Sequence, residues 1–82
     1  MDSENKFTAI EEDGSVNEYK MLFCKTVDGK PIIWYTDETR DEQGRINIYI
    51  SSYKEVDKKY VLDSIDNLEE LNKYINIFKA NN

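Results

Sequence analysis

The residues of this chain best placed for chemistry are acids grouped around a glycine. Residues 37–44 hold four carboxylates and no apolar side chain: Asp37, Glu38, Asp41 and Glu42. Carboxylate oxygens are the ligands that calcium and magnesium prefer, and an EF-hand loop needs acids or amides at positions 1, 3 and 5, glycine at 6 and glutamate at 12. With Gly44 at position 6, Thr39 falls at position 1 and Ile50 at position 12. The EF-hand is excluded, and a simpler divalent-cation site on this loop stays open as an alternative function.

Nucleophilic and acid-base catalysis have few candidates in this sequence. The chain contains no histidine, the commonest general base and the commonest partner of a serine or cysteine nucleophile. Cys24 stands between Phe23 and Lys25 in the apolar middle of a predicted strand, where a thiolate would not be stabilised. No carboxylate lies inside an apolar segment that would raise its pKa. We therefore predict a protein that is not an enzyme, with no catalytic residues, no cofactor and no small-molecule substrate.

The charge balance argues against nucleic acid as a partner. Eleven lysines and arginines face seventeen acids, which gives a formal net charge of −6 at pH 7. Duplex binding depends on basic side chains that displace counterions, so this surface repels phosphate. Tyr35, Tyr49 and Tyr53 could form a stacking platform for RNA bases, but the acids around them make that interpretation unfavourable. We predict no nucleic-acid partner.

Composition and length predict one small domain spanning residues 1–82. A single cysteine cannot form an internal disulfide, and residues 1–5 lack the basic and apolar regions of a secretory signal. No apolar run approaches the roughly 18 residues needed to cross a bilayer. These features predict a cytoplasmic protein that has no membrane-spanning segment. Residues 1–5 are expected to form a frayed end.

Strand-forming stretches and glycine turns occupy residues 6–63. Gly14, Gly29 and Gly44 each follow polar or acidic residues and precede a segment rich in β-formers, as in turns that need a positive φ. Strands are predicted at 6–10, 16–27, 31–36, around 46–51 and at 60–62. In the second strand Tyr19, Met21 and Phe23 are expected on one face. The pattern predicts an antiparallel β-meander of four to five strands.

The period of the apolar residues then changes from two to that of a helix. Four residues at spacings of three and four define one helical face: Leu68, Leu71, Ile75 and Phe78. Tyr74 falls at the margin of this stripe. Asp66, followed by Glu69, is typical of a capped helix start. We predict an amphipathic helix over residues 66–80, packed on one sheet face against Trp34, Ile48 and Ile50, and therefore an α+β fold.

Apolar residues on both faces of the central strands predict a protein partner. One helix can cover only one face of the sheet, so the other face must curl, self-associate or bind another protein. The predicted partner-binding residues are those expected on the uncovered faces of the sheet and helix: Leu22, Ile33, Tyr35, Tyr49 and Ile77. The leading functional prediction is a non-enzymatic module for protein interaction or regulation, with a partner protein or a second copy of the chain.

The order of these features resembles a known bacterial family. Glu12-Asp13-Gly14, Glu18-Tyr19, Val27-Asp28-Gly29-Lys30 and Ile48-Tyr49-Ile50 follow one another as in the family called domain of unknown function 1292, the YrzB-like small acidic proteins. The resemblance runs from Phe7 to Phe78, with more lysine and asparagine and a shorter acidic connection than is usual in the family. It implies a cytoplasmic bacterial protein and supplies no activity or catalytic residues.

Overall fold

A computed structural model describes residues 5–80 of the chain. Its elements, in chain order, are β1 (Lys6–Ile10), β2 (Val16–Val27), β3 (Lys30–Thr36), β4 (Tyr49–Val56), β5 (Lys59–Asp63) and α1 (Leu68–Ala80). The predicted frayed end at residues 1–5 lies, apart from Asn5, outside the described residues. The α+β fold with an antiparallel meander and one C-terminal helix is confirmed.

The meander closes on itself into a barrel. Consecutive strands pair antiparallel from β1 to β5, and β5 then returns to β1 as a parallel neighbour. This closing seam is short, with Ala9 opposite Tyr60 and Ile10 opposite Val61. Closure removes the exposed strand edges that an open sheet would present to other chains. Of the alternatives left open by the two-sided apolar strands, the sheet adopts the curled one.

Two of the three glycines form the same kind of turn. The N–H of Gly14 donates to the Glu11 carbonyl (2.9 Å), and the N–H of Glu11 donates to the Ser15 carbonyl (2.8 Å). Gly44 repeats this pattern with Asp41 and Arg45. This is the three-residue hairpin with a left-handed glycine, and the φ angles of +88° and +82° confirm it. Gly14 joins β1 to β2. Gly44 lies in the turn of a small hairpin between β3 and β4, the acidic hairpin, which spans residues 37–47.

The remaining strand connections are two-residue turns with positive φ at both central positions. Asp28 and Gly29 join β2 to β3 with φ angles of 53° and 81°. Asp57 and Lys58 join β4 to β5 with φ angles of 52° and 66°, and no glycine marks that turn. Such turns match the right-handed twist of the strands. The residues between the predicted strands at 46–51 and 60–62 are therefore the end of β4, this turn and the first residue of β5.

A β-bulge in β2 explains why its middle is apolar on both faces. Met21 lies opposite Tyr35 and Phe23 lies opposite Trp34, so Leu22 is an extra residue in the register. The extra residue turns Phe23 to the outside of the barrel while Met21 stays inside. The predicted common face of Tyr19, Met21 and Phe23 is therefore wrong after Met21.

Alternation along β3 divides the apolar residues into two cores. The inner core fills the barrel, and its buried members are Phe7, Ala9, Ile33, Tyr35 and Leu62. The outer core lies between the barrel and α1, and its buried members are Val27, Ile32, Trp34 and Tyr74. Because successive side chains of a strand point to opposite faces, β3 supplies both cores.

Several predicted boundaries are wrong. β3 begins one residue earlier than predicted, β5 is one residue longer at each end, and β4 ends at Val56 rather than at residue 51. β4 begins at Tyr49, three residues after the predicted start, because Ile46 pairs with Arg40 inside the acidic hairpin. α1 begins at Leu68, since the side-chain oxygen of Asn67, and not that of Asp66, accepts a hydrogen bond from the N–H of Glu70 (3.0 Å). Asn67 is the N-cap, one residue later than predicted.

Candidate functional site

The helix is attached to the barrel through one buried residue, Tyr74. Its side chain is 2 % exposed and packs edge-on against Trp34, with the ring centroids 6.2 Å apart. The indole Nε1 of Trp34 donates a buried hydrogen bond to the backbone carbonyl of Tyr74 (3.0 Å). Phe23 also packs against the indole ring, at 4.9 Å between centroids. The direction of an indole N–H is fixed, so this contact sets the rotation of the helix as well as its position.

That rotation differs from the predicted one. Tyr74, predicted at the margin of the apolar stripe, is the buried residue of α1, and Leu68, predicted as a member of the stripe, is 75 % exposed. Leu71 and Ile75 are only half-buried. Side chains advance by roughly 100° per residue around a helix, so facing Tyr74 to the barrel turns part of the stripe away from it. The helix therefore carries more apolar surface than the barrel covers.

The uncovered part of the stripe forms one wall of an apolar groove. The groove has a volume of about 390 Å³ and six apolar lining residues: Trp34, Ile48, Ile50, Leu71, Ile75 and Phe78. Trp34 is fully buried and lies beneath it, and Ile48, on the strand side, is 43 % exposed. The charged lining residue is Lys79, whose side chain is exposed and can turn its ammonium group to water.

Ion pairs hold the helix against the β2–β3 turn. The Lys30 ammonium donates to Glu70 (2.7 Å), and Lys73 pairs with Asp28. The pKa of Glu70 is lowered, first by the bond from Lys30 and then by the bond from the Tyr74 hydroxyl. Burial and the Glu70 carboxylate raise the pKa of Tyr74 to about 12, so its hydroxyl remains a donor at neutral pH.

The five residues predicted to bind a partner do not form one surface. Ile33 and Tyr35 are 0 % and 7 % exposed inside the barrel, so a partner cannot reach them while the barrel is closed. Leu22 is exposed because it is the bulged residue, and Tyr49 is exposed while its hydroxyl bonds to Asp37 (3.2 Å). Ile77, predicted as an exposed contact, is half-buried and packs against the outer core.

The groove residues were predicted to lie in the core and not on a binding surface. Leu71 and Ile75 on the helix were expected to pack against Ile48 on the sheet, and that contact would have buried all three. The signal that could have found the groove is the width of the apolar surface on α1. Tyr74 and Ile77 widen the predicted stripe beyond what one flat contact covers.

The acidic hairpin uses its carboxylates for its own backbone. Asp37 accepts bonds from the N–H and the hydroxyl of Thr39 (3.0 and 2.6 Å), which lower the pKa of Asp37. Asp41 accepts bonds from the N–H groups of Gln43 and Arg45 (both 2.9 Å). Within residues 5–80, no cluster of three or more acids, cysteines or histidines is placed to hold a metal ion. Asp37, Glu38, Asp41 and Glu42 thus follow one another along the chain without converging on a common point.

Cys24 lies half-buried beside the inner core. Its thiol is 3.7 Å from the sulfur of Met21, and burial raises the pKa of the thiol, an effect that a hydrogen bond with Tyr53 partly offsets. A raised pKa leaves the thiol protonated at neutral pH, whereas the thiolate is the reactive form.

Among the helices of residues 5–80, none has the length and hydropathy required to span a bilayer. Comparison of the chain with protein-family models, with curated proteins and with solved structures gives no match.

Proposed function

We propose that this chain is a non-enzymatic protein-interaction module whose binding surface is the groove between α1 and the start of β4. The observation that carries the proposal is an apolar groove of about 390 Å³ beside a helix whose rotation is fixed by a buried hydrogen bond. Pockets that bind ligands commonly measure about 300 to 1,000 Å³ and are mostly apolar. The groove is at the small end of that range.

A binding role agrees with the chemistry of the remaining polar groups. The chain has no histidine, burial holds Cys24 as a thiol, and Asp37 and Asp41 accept hydrogen bonds from neighbouring backbone N–H groups. The hydroxyl of Tyr19 is likewise engaged: it donates to Glu11, and this bond, together with burial, raises the pKa of Tyr19. These groups are arranged to stabilise turns and the barrel.

We further propose a reducing, cytoplasmic setting, which a lone half-buried thiol tolerates. Membership of the YrzB-like family stays a prediction that rests on the order of the turn and strand motifs.

Selection of peptides from a random displayed library tests the function. The folded chain is the bait, and the Ile48→Asn variant is used for counter-selection. We expect sequences that bind the natural chain and lose at least about tenfold in affinity toward the variant, since Ile48 is a groove wall. A library that yields no sequence sensitive to Ile48 would overturn the proposal.

The matched control is Val56→Asn at the far end of β4, the strand that Ile48 directly precedes. Val56 is 44 % exposed and Ile48 is 43 % exposed, and both are β-branched aliphatic residues, so the two changes remove similar apolar surface. Val56 does not line the groove. Selected peptides should bind the Val56 variant as they bind the natural chain.

A further inference from the structure

We infer that the occupant of the groove is a short amphipathic segment of another protein, with apolar anchors and basic flanking residues, and that it is not a second copy of this chain. The inference rests on the proposed function and adds the chemical class of the partner. It follows from the size of the groove and from the charge of the molecule around it.

The size of the groove fits a few side chains. A stable interface between folded proteins buries roughly 800 Å² on each partner. A groove of about 390 Å³ with six apolar lining residues offers space for two or three large side chains. Helices that bind in grooves present such anchors at positions i, i+3 or i+4, and i+7. The dimensions therefore favour a single linear segment over a second barrel.

The charge of the chain favours a basic segment. The net charge of −6 means that two copies repel one another, whereas a positive partner is attracted and its encounter is accelerated. The acidic hairpin adjoins the strand wall of the groove: Asn47, the neighbour of Ile48, donates its backbone N–H to the Thr39 carbonyl (2.9 Å). Lys79 lies in an exposed position on the helix side. Basic flanks directed toward the hairpin and away from Lys79 would complete the charge match.

Two synthetic peptides of about 14 residues test this inference by titration calorimetry. Both carry leucine at the same amphipathic positions, one with lysine and the other with glutamate at the polar positions. At about 50 mM salt we expect the lysine peptide to bind at least about tenfold more tightly than the glutamate peptide, and at about 0.5 M salt the advantage should fall to about twofold.

Groove variants locate the binding. Ile48→Asn should weaken the lysine peptide by about tenfold, and Val56→Asn should change its affinity by less than about twofold, because only Ile48 lines the groove. Ile75→Gln is the second groove variant if Ile48→Asn does not fold, as judged by circular dichroism. Both asparagine variants keep the net charge unchanged, so a difference between them reports contact rather than charge.

Each outcome has one meaning. Equal binding of both peptides, lost in Ile48→Asn, would overturn the basic partner while the groove remains a binding site. Absence of any Ile48-sensitive binding would overturn the inference, and the library selection then decides the proposed function separately. Sedimentation that shows a dimer of the natural chain, dissociated by Ile48→Asn, would identify a second copy as the occupant.

Discussion

The inner and outer cores share the strand β3 but differ in how completely they are covered. The inner core is enclosed by strands on all sides, and its rings touch one another, as in the edge-on contact of Phe7 and Tyr35 at 5.7 Å. The outer core is covered by one helix with one buried residue, Tyr74, and continues into the groove. Closure of the barrel encloses the inner core in strands, whereas a single helix leaves part of the outer core uncovered. The proposed binding surface lies where coverage is incomplete.

Removing Trp34 should have the largest effect on stability. Trp34→Ala deletes a fully buried ring of the outer core and its hydrogen bond to the helix, and we expect a loss of about 3 to 5 kcal/mol in the free energy of unfolding. Urea titration followed by far-ultraviolet circular dichroism measures it. A loss below about 1 kcal/mol would contradict a tightly packed outer core.

Ile33→Ala makes the corresponding change in the inner core. Ile33 is 0 % exposed, and we expect a loss of about 2 to 5 kcal/mol, averaging less than for Trp34 because fewer atoms are removed. Peptide titrations test the two cores separately. At temperatures where Trp34→Ala and Ile33→Ala are both folded, Ile33→Ala should retain groove binding. Loss of binding in this variant alone would show that the groove depends on the barrel interior.

Removing the N-cap of the helix should change the dynamics of the outer core and leave those of the inner core unchanged. Asn67→Ala removes the N-cap of α1 and should cost about 1 kcal/mol. Amide hydrogen exchange should quicken in α1 while the barrel strands keep their protection, because helix opening need not open the barrel. Asp66→Ala is the control, since Asp66 precedes the cap. Equal acceleration in helix and strands would mean that the two cores open together.

The smallest effect concerns pH and the contact of the helix with the β2–β3 turn. Glu70 has a lowered folded pKa, so its contribution to stability is present above the ordinary value of 4.5 and is lost as the pH falls through the folded value. Glu70→Gln should therefore lower the melting temperature near neutral pH, and its difference from the natural chain should shrink in acid. Glu69→Gln, an exposed neighbour, is the control. A difference that stays constant with pH would argue against the pairing of Glu70 with Lys30.

The sequence predicted strands and glycine turns well because those signals are local. β1 and β2 have the predicted bounds, and the positive φ of Gly14, Gly29 and Gly44 follows from residue type. The turn at Asp57 and Lys58 was missed because neither residue needs to be glycine when the paired strands impose the geometry. The bulge at Leu22 was missed because it arises from bending the sheet into a barrel.

The groove could not be predicted because helix rotation is a tertiary property. Periodicity places Leu71, Ile75 and Phe78 on one stripe, and burial of the whole stripe was the simplest expectation. Tyr74 faces the barrel instead, because the indole N–H of Trp34 donates a hydrogen bond to the Tyr74 carbonyl. The two residues are 40 positions apart in the sequence. The predicted excess of apolar surface does exist, but it lies on the helix and at Ile48 rather than at Ile33 and Tyr35.

The seam between β1 and β5 has a consequence for how the chain folds as it is made. β1 leaves the ribosome before β5 and must wait for it before the barrel can close, because Ala9 pairs with Tyr60. The intervening hairpins can form locally during that time, while β1 keeps one unpaired edge. The bond from the Ser64 N–H to the Glu12 carboxylate (2.8 Å) joins the residue after β5 to the β1–β2 turn, so it forms only after closure. Until β5 is synthesised, that edge of β1 is open to pairing with a neighbouring chain, as is the edge of β4 that later pairs with β5.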